Sequence, residues 1–258
     1  MHRALITGAA GRIGTILRKG LRNRFDVLRL LDTSALSSAQ PGEELVTADV
    51  RDLSAMVEAM DGVDAVAHLA GIPYEDTFER ILETNIVGTY HVFEAARRQG
   101  CSRVVLASSL HVTGFYEAAE HIGPDVPLRP DSFYGVGKAF AENLGRLYAD
   151  KYGIKVVCLR LGTVADRPTT TRHLSTWLSP RDAVELFYCA LTAPDVGYTV
   201  AYGASANKRG WWDLSSAERL GYRPADDAEQ WALEVESAAI ADVMESGRGP
   251  QGGSYTRA

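Results

Sequence analysis

Apolar and polar positions along the chain fall into two alternating patterns. Short, nearly continuous apolar runs occur at RALIT (3–7), DVLRLL (26–31), ELVTA (44–48), DAVAHLA (64–70), SRVVLAS (102–108) and KVVCLRL (155–161). Runs of this length, rich in Val, Ile and Leu, predict strands buried on both faces. Longer helix-like stretches lie between them, near 12–23, 53–60, 78–99 and 133–152. Such alternation implies an α/β fold, a Rossmann-type, doubly wound parallel sheet. The regular alternation ends near Gly162. After it come a loop rich in Thr and Arg (163–176), a helix following Pro180, a strand YTVAYG (198–203) and helices near 213–220 and 226–245. These elements are too few for an independent second domain. The expectation is one integrated domain, with a Rossmann core over 1–162 and a small substrate-binding cap with C-terminal tail over 163–258. The cap is expected at the carboxyl ends of the strands, where ligands bind in such sheets. The tail SGRGPQGGSYTRA is expected to be mobile unless it folds over a bound ligand.

Composition narrows the function classes. Hydrophobic content of 46% and charged content of 23% over 258 residues are those of an ordinary globular chain. A net charge of −6, without clustered Lys or Arg, argues against nucleic-acid binding. Three scattered cysteines, Cys101, Cys158 and Cys189, fit neither a disulfide framework nor a metal site, so buried thiols in a reducing cytoplasm are expected. The N-terminus enters a strand at once, without the pattern of a signal peptide. No run approaches the roughly 18 apolar residues of a membrane span.

The first turn carries chemistry. Directly after RALIT comes GAAGRIG, with Gly8, Gly11 and Gly14 in G-x-x-G-x-x-G spacing. Between a strand and a helix, such glycines let the backbone approach a pyrophosphate seated on the helix N-terminus. Arg12 and Ile13 complete that turn. Asp32 ends the second strand, where an acid can bind an adenosine ribose diol and would repel a 2′-phosphate. No arginine follows in TSALSS, so the expected cofactor is NAD rather than NADP. Asp49 and Val50, after the third strand, are candidates to meet the adenine. Further on, Tyr134 and Lys138 stand one helical turn apart, on one face of the helix. That spacing alone decides nothing.

Together, TGAAGRIG, Asp32, HLAG at 68–71, Asn85, ASS at 107–109 and YGVGK at 134–138 resemble the extended short-chain dehydrogenase/reductase family, in order and in spacing. Closer still, GPDVPLRPDSFYGVGKAFAENLGRLYADKYG, LSTWLS (174–179), YGASANKRGWWD (202–213) and QGGSY (251–255) look like its uronate dehydrogenase subgroup. Those enzymes oxidise the anomeric carbon of a hexuronic acid to an aldarolactone with NAD. The resemblance implies Tyr134 as base, Lys138 tuning it and bonding the nicotinamide ribose, and Ser109 steadying the reacting oxygen. It adds Asn85 as support for Lys138 through a water, and the turn Leu69, Ala70 and Gly71 beside the cofactor. A phenol of pKa near 10 is a poor base at neutral pH. A nearby ammonium and the positive nicotinamide ring are expected to lower it.

The resemblance also implies a substrate end. Arg172, preferred over Arg167, falls where the subgroup binds the carboxylate, as a guanidinium can with two parallel hydrogen bonds. His111 matches a substrate-contacting histidine, and Tyr255 a C-terminal aromatic that closes on the sugar. Two positions depart from the subgroup. Leu110 replaces the asparagine of SSNH, and Pro73 replaces a serine after GGI. Each change removes a hydrogen-bonding group, worth roughly 1–3 kcal/mol of discrimination where a polar partner is left unpaired. The implied activity is NAD-dependent oxidation of a sugar acid, with another free sugar as the alternative. A sugar epimerase or dehydratase is disfavoured by the short segment after the sheet and by the lack of an acidic pair beside Ser109. A non-catalytic NAD sensor is disfavoured by the retained Tyr134 and Lys138. The indoles of WWD (211–213) read as core packing. Family members often pair through the helices near 78–99 and 133–152, so a homo-oligomer is expected.

Overall fold

In the computed structural model, which describes residues 3–238 and 249–257, the chain is organised by a seven-stranded sheet. Strands β1 (Arg3–Thr7), β2 (Val27–Asp32), β3 (Glu43–Thr47), β4 (Ala65–His68), β5 (Arg103–Ser109) and β6 (Lys155–Leu161) follow the six apolar runs. Two-residue strands β7 (Thr163–Val164) and β8 (Trp177–Leu178) pair with each other, and β9 (Tyr198–Gly203) joins the main sheet. The order is β3-β2-β1-β4-β5-β6-β9, and every neighbouring pair is parallel. The chain therefore reverses direction across the sheet between β1 and β4, which opens a crevice at their carboxyl ends.

The helices are α1 (Arg12–Leu21), α2 (Leu53–Ala59), α3 (Phe78–Ile81), α4 (Gly88–Arg98), α5 (Phe133–Tyr152), α6 (His173–Thr176), α7 (Pro180–Thr192), α8 (Ser215–Arg219) and α9 (Ala232–Ala238). A π turn, Leu82–Val87, joins α3 to α4. Residues of α1 and α7 build the apolar core on one face of the sheet, and residues of α2, α4 and α5 build that on the other. Local chemistry sets the helix ends. Asp52 accepts from the Ser54 and Ala55 amides to start α2, and Ser132 accepts from Gly135 N (3.0 Å) to start α5. Ser179 caps α7 ahead of Pro180.

Two expectations need correction. The strand at 198–203 is not part of a cap: β9 pairs with β6 from Val156↔Tyr198 to Leu161↔Gly203, with α7 as the crossover helix. The irregular loop after Gly162 only interrupts the strand–helix–strand rhythm, so the sheet core runs past 162 to Gly203. The tail at 249–257 is also docked. Gln251 is fully buried; its N–H donates to Tyr116 O (2.7 Å), its Oε1 accepts from Trp212 Nε1 (2.8 Å) and its Nε2 donates to Glu120 O (3.1 Å). A buried amide with its partners in place fixes the backbone around it. The end of the helix predicted at 226–245 and Ser246–Arg248 of the tail lie outside the described residues. Trp211 and Trp212 pack in a core cluster with Leu110 and Tyr202, Trp212 stacking on Tyr202 at 5.1 Å, as read from the sequence. No described helix is long and apolar enough to cross a membrane.

Candidate active site

A cleft of 920 Å³ lies at the carboxyl ends of the strands, and every residue singled out for the site lines it except Asn85 and Tyr255. Its cofactor half is made of backbone. Gly8 has φ +72°, and a Cβ there would sit 2.8 Å from Ala70 N; a Cβ at Gly14 would overlap the Gly8 carbonyl. Only glycine permits that approach. The α1 helix starts with Gly11 at its cap position, without a side-chain cap and with no acid in its first turn. Its first amides, among cleft-lining Gly11 to Gly14, suit the pyrophosphate of a dinucleotide. Asp32 stands beside this turn, and its carboxylate accepts from Ala10 N and Ser34 N, both at 2.9 Å. It thus shapes the turn as well as lining the cleft. Asp49 pairs with Arg51 (2.7 Å), whose hydrogen bonds hold its carboxyl below the usual range. Val50 is buried against α4, its carbonyl 3.0 Å from His91 Nδ1.

Asn85 has a direct structural role of its own. Its Oδ1 accepts from Ile72 N (2.8 Å) and its Nδ2 donates to Ile72 O (2.9 Å), so its direct bonds pin the loop after β4. The π turn that carries Asn85 presents the amide to that loop. Behind it runs a buried chain. Thr7 Oγ1 lies 2.8 Å from His68 Nδ1, His68 Nε2 lies 3.1 Å from Thr89 Oγ1, and Thr89 donates to the Asn85 carbonyl (2.5 Å). Burial pushes His68 down to about 3, so this histidine is a neutral linker.

Another wall of the cleft is one face of α5 laid on β5. Lys138 Nζ donates to Ala107 O (2.7 Å), and Ser108 Oγ donates to Glu142 Oε1 (2.6 Å). Tyr134 sits at the N-terminal end of this stripe, buried, with its backbone N–H donating to Glu75 Oε2 (2.9 Å). Burial pushes the Tyr134 phenol up to about 12, with the Ser109 hydroxyl acting against the rise. Burial likewise pushes Lys138 down to about 8. The lowering of the phenol expected from Lys138 therefore does not prevail among the protein's own groups. With Nζ at 5.6 Å from the ring centroid, desolvation of the phenolate is the larger effect.

The remaining part of the cleft gathers residues from distant segments. Arg167 pairs with Glu234 at the surface (2.9 Å), whereas Arg172 is buried, lines the cleft and donates from Nε to Gln251 O (3.0 Å). His111 lines the cleft with Nδ1 at 2.7 Å from Asp131 Oδ2, and Tyr255 stacks on its ring at 4.0 Å. Leu110 is both cleft wall and core; Pro73 is exposed at the rim. Sequence reasoning missed Glu75, Asp131 and Gln251, which act through other residues. It also missed cleft-lining Leu161 to Val164, which the rule that ligands bind at strand carboxyl ends could have supplied. Among the described residues no group of three or more His, Cys, Asp or Glu could hold a metal ion.

Comparison with known proteins agrees with this geometry. The chain is 42% identical over 255 residues to the uronate dehydrogenase of Pseudomonas putida, covering 98% of this chain and 95% of that one. Its fold matches uronate dehydrogenase from Agrobacterium tumefaciens, solved as a tyrosine-to-alanine mutant complexed with NAD, with TM-score 0.94 and 42% identity over 99% of this chain and 97% of that one. It also matches glucuronic acid dehydrogenase from Chromohalobacter salexigens, with TM-score 0.95 and 39% identity over 100% of this chain and 97% of that one. The family model described as NAD dependent epimerase/dehydratase matches residues 4–176, and the chain belongs to that family.

Proposed function

We propose that this chain oxidises a hexuronic acid such as D-glucuronate or D-galacturonate at the anomeric carbon, giving the aldarolactone, with NAD as cofactor. One observation carries the reading: a glycine turn fit for a dinucleotide, a buried Tyr134–Lys138 pair and the Arg172 guanidinium share one cleft. NAD⁺, when bound, accepts the hydride released from the anomeric carbon. The protein's part is the proton and the geometry. Tyr134 Oη takes the anomeric hydroxyl proton as the C–H and O–H bonds break and the carbonyl forms. Ser109 Oγ already accepts from His111 N (3.2 Å), which leaves its own proton to steady the reacting oxygen. Lys138 supplies positive charge toward the phenolate. Arg172 meets the substrate carboxylate, and His111 a sugar hydroxyl. Asp32 favours NAD over NADP by repelling a 2′-phosphate.

Leu110 and Pro73 support a second reading, in which the preferred substrate is another free sugar with fewer polar groups facing that wall. We place the protein in the cytoplasm, in keeping with its three free cysteines, and infer pairing of two copies through the long helices. The deciding measurement is absorbance at 340 nm with NAD⁺ and a panel of uronates and neutral aldoses. Turnover of a uronate, abolished in Tyr134→Phe while NAD⁺ affinity holds, is the expected result. NAD⁺ binding without turnover of any sugar would sink the reading.

A further inference from the structure

Asp131 is the most enclosed carboxylate near the cleft: its side chain has 0% exposure, although it is not itself a cleft-lining residue. Its Oδ1 accepts from Ser132 Oγ (2.7 Å), and its Oδ2 lies 2.7 Å from His111 Nδ1. Two glycines from distant segments close over it. A Cβ at Gly114 or at Gly252 would overlap the carboxylate, and the two are joined by Gly252 N donating to Gly114 O (2.8 Å). Gly252 belongs to the docked C-terminal segment, so that segment forms the lid of the Asp131 chamber.

The protons can be traced. Ser132 has one hydroxyl proton and gives it to Asp131, while its oxygen accepts from Gly135 N (3.0 Å). A carboxylate only accepts, so the His111–Asp131 bond puts a proton on Nδ1. In a neutral imidazole the other nitrogen is then an acceptor. The ring is wedged in place, with Tyr255 stacked on its face at 4.0 Å and Tyr134 edge-on at 5.7 Å. Nδ1 is turned to the chamber, and the ring lines the cleft next to the proposed base.

We propose that Asp131 is a positioning residue for substrate recognition: it holds the His111 proton on Nδ1, so that Nε2 accepts a hydrogen bond from a substrate hydroxyl beside the reacting carbon. Gly252 makes this arrangement possible by leaving room for the carboxylate. The role rests on the reading above, in which His111 faces the sugar, and it assigns the donor on that sugar as a free hydroxyl rather than an ether or a phosphate oxygen.

The test has an arm that needs no substrate. Long-range ¹⁵N–¹H spectra of histidine-labelled protein, with the His111 signal identified by its loss in His111→Ala, are expected to show Nδ1 protonated and Nε2 bare. Asp131→Asn and Gly252→Ala are expected to move the proton to Nε2 or to mix the two forms. The glycine variant removes no hydrogen-bonding group and so guards against a mere loss of charge. A wild-type ring carrying a proton on Nε2 overturns the proposal. In turnover, both variants are expected to lose about tenfold or more in kcat/KM, chiefly through KM, the scale of one lost substrate hydrogen bond, with NAD⁺ binding within about twofold. In a His111→Ala background, Asp131→Asn is expected to add nothing further. A full additional loss there would mean a general structural role and also overturns it. Absence of uronate turnover by the wild-type protein would refute the substrate reading and leave the spectroscopic arm standing.

Discussion

Lys138 is a cation held where burial strips away its water. Its ammonium is buried against the Ala107 carbonyl, and burial pushes it from 10.5 down to about 8, while the neighbouring phenol is pushed up to about 12. The sign of each consequence follows. Below pH 8 the lysine is charged in both folded and unfolded chains, and folding carries the full desolvation penalty. That penalty is relieved as pH rises from about 8 toward 10.5, where the folded chain has released the proton and the unfolded chain has not. Replacing Lys138 by Met is therefore expected to raise the melting temperature at pH 7, with a gain that shrinks by pH 10. Activity should move the other way. Without the cation the phenolate is harder to form, so the acidic limb of the kcat profile is expected at least about one unit higher, and kcat at pH 7 about tenfold lower. Thermal denaturation and a pH–rate profile between 6 and 10 check both. A limb left in place would remove Lys138 from any part in tuning the base.

At the scale of elements, α5 and β5 are keyed together by Tyr134, Lys138 and Glu142, each one turn beyond the last. The third key is a buried ion pair. Arg160 on β6 donates from Nε to Glu142 Oε1 (2.9 Å) and from Nη2 to Oε2 (2.8 Å), with both side chains under 5% exposed. Ser108, next to Ser109, donates to the same carboxylate. Glu142 thus ties α5 both to β6 through Arg160 and to β5 through Ser108, one residue from Ser109. Breaking a buried pair on one side strands a charge and costs about 3–5 kcal/mol, whereas replacing both partners by apolar groups is often near neutral. Arg160→Met is expected to lose stability on that scale in urea unfolding. The double variant Glu142→Leu/Arg160→Met is expected to regain most of it yet keep a reduced kcat, because packing returns without those ties. Full activity in the double variant would detach the pair from catalysis. The YGVGK spacing was legible because a helix turn puts i and i+4 together whatever surrounds them. Asp131 and Glu75 were not, since their partners lie 20 and 59 residues away and only the fold brings them together. The π turn at Asn85 leaves no periodic signature over six residues. β9 was read as a strand, but its place in the sheet depended on a crossover that the loop after Gly162 concealed.

At the scale of the molecule, large apolar side chains gather on one surface among the described residues. Most of its exposed large apolar side chains stand on the segment from α3 to α4 and on α5, among them Phe78, Tyr90, Phe133, Val136, Phe140 and Leu147, the last half exposed. Phe78 on α3 and Phe133 on α5 touch edge to face at 5.7 Å, which joins the two groups at that point. A patch of this kind on a globular protein marks an interface, and a two-fold axis lets the same surface serve both partners. Part of the patch is the outer face of α5, whose inner face carries Tyr134 and Lys138, so pairing would brace the helix that holds the proposed base. Sedimentation velocity is expected to show a dimer or a higher even assembly for the native chain. Phe140→Asp with Leu147→Glu places two carboxylates on each side of the axis and is expected to yield monomers. Those monomers should melt earlier and turn over more slowly, with NAD⁺ still bound through the glycine turn on the opposite half of the sheet. A native chain that sediments as a monomer at micromolar concentration would show that the patch serves another partner, and that α5 holds its position through β5 alone.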